Sequence, residues 1–280
     1  MRSMEEKIKK FRNRELFVSE ANTLEALSQD FDFSFDVNNY HVIKLGLFDS
    51  EMSTIPESLL NLPKLEFISL KNKIRIIPEW FMQLSNLKGL SLSTSYLSNI
   101  SNIANLTNLE FLSLSHCNLT DLPGILEDMV KLSHLELTYN ELKYVPDVLQ
   151  HFTSLETLNL SNNQIDQLPE WFNLKLPNLK TLMLNNNEFR IFPEQISLME
   201  DLENLNLRGN SLREVPKSID TLVKLQSLEL SNNRINILPE SFANLKNLKN
   251  LEIRNNPIEE DEIENIIKTL NENGCSVYFI

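Results

Sequence analysis

This 280-residue chain is short of the residues that usually mark a reaction centre or a hinge. Its five glycines, Gly46, Gly89, Gly124, Gly209 and Gly274, are too scattered to cradle a phosphate and too few to form a flexible linker. Its four histidines, His41, His116, His134 and His151, include no pair at short ligand spacing, and the only cysteines are Cys117 and Cys275. No zinc-type ligand set follows from such a pattern. His116, Cys117 and His134 could approach one another across neighbouring strands, but no residue near them is placed to activate a nucleophile. Two cysteines are also too few for the disulfide framework of a small secreted scaffold. No apolar run reaches the roughly 18 residues of a membrane span, and the first residues lack the apolar core of a signal peptide. Cations are in the minority too, with 26 Lys and Arg against 39 Asp and Glu for a net charge of -13. That balance argues against nucleic acid as partner, because phosphate binding needs a basic track. The absences point to a cytoplasmic protein with no membrane insertion, no metal, no cofactor and no catalytic residue.

What the chain has in abundance is one phrase. Leu155-Glu156-Thr157-Leu158-Asn159-Leu160-Ser161-Asn162-Asn163-Gln164-Ile165-Asp166-Gln167-Leu168-Pro169 carries apolar residues at positions 1, 4, 6, 11 and 14, Asn at 9 and Pro at 15. The frame restarts at Val42, Leu65, Leu87, Leu109, Leu132, Leu155, Leu179, Leu202, Leu225 and Leu248, at intervals of 22 to 24 residues. Positions 4 and 6 alternate with polar neighbours, as a strand buried on one face requires. Position 9 is where the chain leaves the strand, and Asn140, Asn163, Asn187, Asn210, Asn233 and Asn256 occupy it. An Asn side chain there can satisfy both donors and acceptors of a buried bend. The prolines, among them Pro56, Pro78, Pro123, Pro169 and Pro239, fix the backbone as it enters a return segment of a helical turn or two. Pairs such as Phe172 with Leu176 and Phe242 with Leu245 point back into the core from that side.

The phrase resembles the leucine-rich repeat family, in which each unit is a strand plus a short return segment. The resemblance covers roughly residues 42 to 258 and implies an α/β, right-handed leucine-rich-repeat solenoid, a horseshoe with a parallel concave sheet and an asparagine ladder along it. The family also accepts Cys in place of the ladder Asn, which assigns Cys117 a structural role. Adjacent strands about 4.8 Å apart would separate Cys117 from Cys275 by roughly 30 Å, beyond disulfide reach. Two units depart from the pattern: repeat two drops a residue between Leu70 and Asn72, and repeat three has Ser95 for Asn and Ser101 for Pro. The sequons that begin at Asn99, Asn105, Asn118 and Asn159 are by-products of the phrase.

Such units bury no apolar face alone, so the ends need caps. Residues 1–41 read as an amino-terminal cap, with a helix over Glu15 to Phe31 and a strand over Phe33 to Val37 that turns at Asn38-Asn39 into the first repeat strand, Val42 to Leu47. Residues 42–258 are the ten repeats, and 259–280 a carboxy-terminal cap with a helix through Ile263, Ile266, Ile267 and Leu270, a stop at Gly274 and a strand over Val277 to Ile280. That lid leaves no room for a further domain. Arg2, Lys7, Lys9, Lys10, Arg12 and Arg14 crowd one end, and Glu259, Glu260, Asp261, Glu262 and Glu264 the other. These runs are either solvated faces of cap helices or a charge asymmetry that biases docking.

Function should lie at positions 3, 5, 7 and 8, which face out on the concave side. From repeat six onward they hold mostly small or amide residues, whereas repeats one to five place Phe48, Phe67, Phe111, His116, His134, Glu136 and Tyr139 there. Phe67 and Phe111 flank Gly89 on strands about 10 Å apart, which predicts a slot with aromatic walls. Exposed aromatics beside small residues suit a partner-binding anchor and its pocket; the alternative is that they cover one another or contact the amino-terminal cap. Trp80 and Trp171, in the near copies Pro78-Glu79-Trp80-Phe81 and Pro169-Glu170-Trp171-Phe172, are secondary convex candidates, or else lie over neighbouring return segments. The expected role is non-enzymatic protein binding by a monomer. The Leu-Pro repeat type resembles Ras-suppressor-like and microbial cytoplasmic arrays, which implies a small GTPase or its regulator as partner. A modulator of a GTPase or phosphatase and a self-associating scaffold are the alternatives.

Overall fold

A computed structural model describes residues 8–49, 51–71, 73–93, 97 and 100–279. The chain divides into two compact units, one of residues 1–118 with 125–132, the other of residues 119–124 with 133–280.

The first unit opens with an antiparallel hairpin of β1 (Ile8–Phe11) and β2 (Arg14–Phe17). Its turn residues Arg12 and Asn13 both have positive φ, the geometry whose twist suits a two-residue hairpin. Helix α1 (Val18–Asp30) follows directly. The expected helix over Glu15–Phe31 is thus three residues too long at its start. Glu15–Phe17 pair with β1 instead, because the hairpin buries Leu16 completely and sets the Phe17 ring 4.7 Å from His41. Lys9, Lys10 and Arg14 accordingly lie on this hairpin, and Arg12 in its turn, rather than on a cap helix; Arg2 and Lys7 fall outside the described residues. Strands β3 (Asp32–Asn38) and β4 (His41–Phe48) form a second hairpin, turning through Asn39 and Tyr40, both at positive φ, one residue beyond the expected turn. From β4 the sheet continues in parallel through β5 (Phe67–Lys71), β6 (Gly89–Ser93) and β7 (Phe111–Ser113). Asn72 and Ser95, in the two repeats that depart from the phrase, lie outside the described residues.

The second unit carries β8 (His134–Glu136), β9 (Thr157–Asn159), a short α2 (Phe172–Lys175), β10 (Thr181–Met183), β11 (Asn204–Asn206), β12 (Ser227–Glu229), β13 (Asn250–Glu252), α3 (Glu260–Glu272) and β14 (Ser276–Tyr278). Its strands are parallel and pair in chain order, with β14 closing the edge on β13. Gly274, at φ 85°, ends the run after α3 in the left-handed region that glycine tolerates. The expected terminal strand is shifted to Ser276–Tyr278, and Ile280 lies outside the described residues.

In both units the return segments are mostly single 3-10 turns, such as Glu57–Asn61 and Glu240–Asn244. Most begin with a proline carbonyl accepting an N–H three residues on, as Pro56 does from Leu59 and Pro239 from Phe242, whereas Ser101–Ile103 begins at the Ile100 carbonyl. Among the described return segments only Phe172–Lys175 is α-helical, in the one repeat that is 24 residues long. The additional residue gives the turn length enough for an i to i-4 bond. Phe172, Leu176, Phe242 and Leu245 are all buried, as the spacing predicts. Each fully buried Leu or Phe adds about 1.5–3 kcal/mol of apolar transfer.

The asparagine ladder runs through the second unit. Asn163 Nδ2 donates to the carbonyls of Leu137 and Leu160 at 2.9 and 3.0 Å, while its Oδ1 accepts the N–H of Leu142 at 3.1 Å. Asn187, Asn210, Asn233 and Asn256 repeat the pattern, each reaching back one repeat. In the first unit Cys117, 1% exposed, takes the same place, and its thiol donates to the Leu92 carbonyl at 3.4 Å. A second amide series stands just before the strands: Asn86 and Asn108 donate to Pro63 and Ser85 carbonyls, and Asn178 and Asn247 to those of Thr153 and Val223.

Candidate protein-binding surface

Position 8, immediately before the ladder residue, has positive φ in every unit from the fourth to the tenth. The residues are His116, Tyr139, Asn162, Asn186, Gly209, Asn232 and Asn255. Asn and Gly enter the left-handed region at little cost, whereas bulky residues seldom do. His116 and Tyr139, at φ 58° and 54°, are therefore held in a strained conformation that five other units avoid by composition. Both are exposed, Tyr139 by 53%. The column of Asn and Gly was visible in the sequence as a demand for positive φ, and sequence reasoning missed it.

On the face of the first unit, Gly89 on β6 stands directly opposite Phe67 on β5 and Phe111 on β7. A Cβ at Gly89 would lie 2.2 Å from Phe67 Cδ2, so the Phe67 ring rests on the glycine backbone. The Phe67 and Phe111 centroids meet at 5.6 Å and 41°, a contact worth about 0.5–1.5 kcal/mol beyond area. The expected open slot is thus closed, because an aromatic ring in van der Waals contact with glycine and a second ring is better packed than one standing in water. The opening lies on the other side of Phe67. Phe48, 44% exposed, folds back over Gly46, where a Cβ would come within 2.5 Å of its Cζ. Between Phe48 and Phe67 is a cavity of about 200 Å³, bordered by Ser34 and Ser69. Lys44 and Asp36, 4.0 Å apart, stand on its rim. His116 sits on the turn after β7.

In the second unit, His134 and Glu136 point to one face of β8, and Tyr139 follows in the turn. His134 Nδ1 is 2.8 Å from Ser133 Oγ. Trp80 and Trp171 are half-buried beside Phe81 and Phe172 respectively. Trp171 Nε1 donates to Asp147 at 3.4 Å on the preceding return segment, so this indole lies over its neighbour.

Sequence reasoning also passed over Glu20. It is 1% exposed on α1, accepts the Val42 N–H at 2.7 Å and meets His41 Nδ1 at 2.5 Å, fastening the helix to the start of β4. Cys117 and Cys275 are reduced and buried, and burial pushes the Cys275 thiol above its ordinary value. Among the described residues, no three His, Cys, Asp or Glu side chains gather as a metal site, and no helix is long and apolar enough to cross a membrane.

Known proteins share this architecture. Models of the leucine rich repeat match residues 122–165 and 202–258, a two-copy model matches 153–198, and a single-repeat model matches 108–129. No curated protein matches the sequence significantly. Among solved structures, a leucine-rich repeat protein of Leptospira interrogans is 36% identical at a TM-score of 0.74, over 82% of this chain and 58% of its own. The present chain therefore spans little more than half the length of that relative. The Arabidopsis receptor kinase HAESA, solved in complex with the peptide hormone IDA and the co-receptor SERK1, is 28% identical at a TM-score of 0.66, over 85% of this chain and 43% of its own. An internalin of Listeria monocytogenes, 21% identical at 0.57 over 93% and 87%, shares the fold. Repeat spacing, the amide ladder and these matches agree: the chain belongs to the leucine-rich repeat family.

Proposed function

We propose that the chain is a non-enzymatic, cytoplasmic protein-binding module whose principal contact surface is the face of its first unit around Phe48, Phe67 and Phe111. The observation that carries this reading is the aromatic platform seated on glycine. Phe48 and Phe67 lie over Gly46 and Gly89 beside a cavity of about 200 Å³, room for one apolar side chain of a partner. Apolar anchors entering such pockets dominate the energetics of many interfaces. The strained His116 in the same unit, and Tyr139 with His134 and Glu136 in the other, supply further contacts of a type the remaining repeats lack. HAESA, a structural neighbour, is complexed with a peptide hormone, which favours a protein or peptide ligand for this fold here too. Reduced, buried cysteines suit a reducing compartment.

Affinity capture from native lysate, run in parallel with the wild-type chain and with Phe48→Ala/Phe67→Ala, tests the assignment. A protein recovered with the wild type should be depleted at least tenfold with the variant, while circular dichroism stays unchanged. Equal recovery from both would remove this face from the interface.

A further inference from the structure

We infer that the second unit carries a separate docking groove, along the segments that lead away from β8, β9 and β10, for an extended basic segment of another protein with an aliphatic anchor. Two cavities, of about 690 and 360 Å³, lie there and adjoin at Gln167 and Leu168, which line both. Its apolar contacts are Ile191 and Tyr144, 77% and 58% exposed at position 13, flanked by buried Phe192 and Val145. Its rim is acidic. The carboxylates of Asp166, Glu170, Glu188 and Glu194 line the groove with no hydrogen-bond or ion-pair partner among the described residues, and Arg190 is its only lining cation.

What marks the groove is the coincidence of these unpaired carboxylates with the exposed Ile191 and Tyr144 at cavities. Two acids nearer the sheet are each paired with a lysine one repeat on, Glu156 with Lys180 and Asp201 with Lys224. Unpaired carboxylates around exposed apolar side chains give a potential that draws cations and repels phosphate, so a polyanion or an anionic membrane is disfavoured. A second copy of this chain, at net charge -13, is disfavoured for the same reason. The lining residues come from successive repeats, which suits an extended segment lying across them. Binding strength should come from Ile191 and Tyr144, and selectivity from the rim.

Isothermal titration calorimetry on the full chain tests the inference, with an alternating lysine–leucine octapeptide as probe and its glutamate–leucine counterpart as control. The lysine peptide should bind and the glutamate peptide should not. Ile191→Ser should weaken binding at least fivefold, and Asp166→Lys/Glu188→Lys at least tenfold, while Phe48→Ala/Phe67→Ala leaves it unchanged. All of these exposed positions can be checked for folding by thermal melts. No binding of the lysine peptide, equal binding of both peptides, or unaltered affinity in the Ile191 and Asp166/Glu188 variants would each overturn the groove.

Discussion

Asn163 does the work of three bonding groups at once. Its amide spans two repeats and its carbonyl oxygen covers the Leu142 N–H, all inside the core. Asn163→Ala strips those partners from buried backbone, and each orphaned group costs roughly 1–3 kcal/mol. Urea unfolding should report a loss of about 3 kcal/mol or more, near the upper range for a single substitution. Tyr139 presents the reverse case. It keeps a bulky side chain at φ 54°, where Asn162 and Asn232 occupy the equivalent place. Tyr139→Asn should raise stability by about 1 kcal/mol in the same assay, since the left-handed region costs most side chains 1–2 kcal/mol. Cys275 shows what burial does to a titratable group. Its thiol is pushed above the ordinary value of 9.0 by desolvation, so the folded state holds the proton more tightly than the unfolded chain. Above pH 9 the unfolded state ionises first and stability falls as pH rises. Iodoacetamide at pH 8 should correspondingly label Cys275 much more slowly in the native protein than in 6 M urea, read by mass spectrometry.

At the scale of elements, the caps and the strand faces behave differently from what their spacing alone suggests. Glu20 links α1 to β4 through the Val42 N–H and His41. Glu20→Ala should cost about 2–3 kcal/mol, because it leaves a buried N–H without an acceptor; hydrogen exchange should localise the loss to Val42 and its neighbours. Strands, ladder and return turns were legible because each rests on a residue type that recurs in frame, such as Leu158, Asn163 or Pro169. The β1–β2 hairpin was not, because its turn uses Arg12 and Asn13 in place of a glycine, and a four-residue strand has too short a period to separate from a helix start. The aromatic face was half legible. Phe67 and Phe111 could be placed on one side of the sheet, yet their ring contact depends on side-chain torsions that Gly89 leaves open. Gly89→Ala should unseat Phe67, lower stability by about 1–3 kcal/mol, and abolish capture of any partner held by that ring. Retained capture would place the contact elsewhere.

For the molecule as a whole, charge is the property that reaches furthest. A net charge of -13 keeps copies apart at neutral pH and lowers tolerance of acid, with the isoelectric point near 4.9. Light scattering should detect association as pH falls towards 5, reversed by moderate salt or by return to pH 7. What the whole chain concealed from its sequence is the flank. The exposed position 13 recurs as Tyr144, Gln167, Ile191 and Glu214, a mixture that reads as tolerance until the cavities beside it are known. A repeat advertises what it conserves internally, and recognition uses what differs from unit to unit.

The ladder of the second unit also has a direction. Every asparagine reaches back to the repeat before it, so the Leu212 N–H finds its acceptor only in Asn233, a residue synthesised later. A nascent chain emerging from the ribosome therefore holds its newest repeat incomplete until the next arrives. Folding during translation must trail synthesis by one unit, about 23 residues, or roughly one to five seconds at ordinary elongation rates.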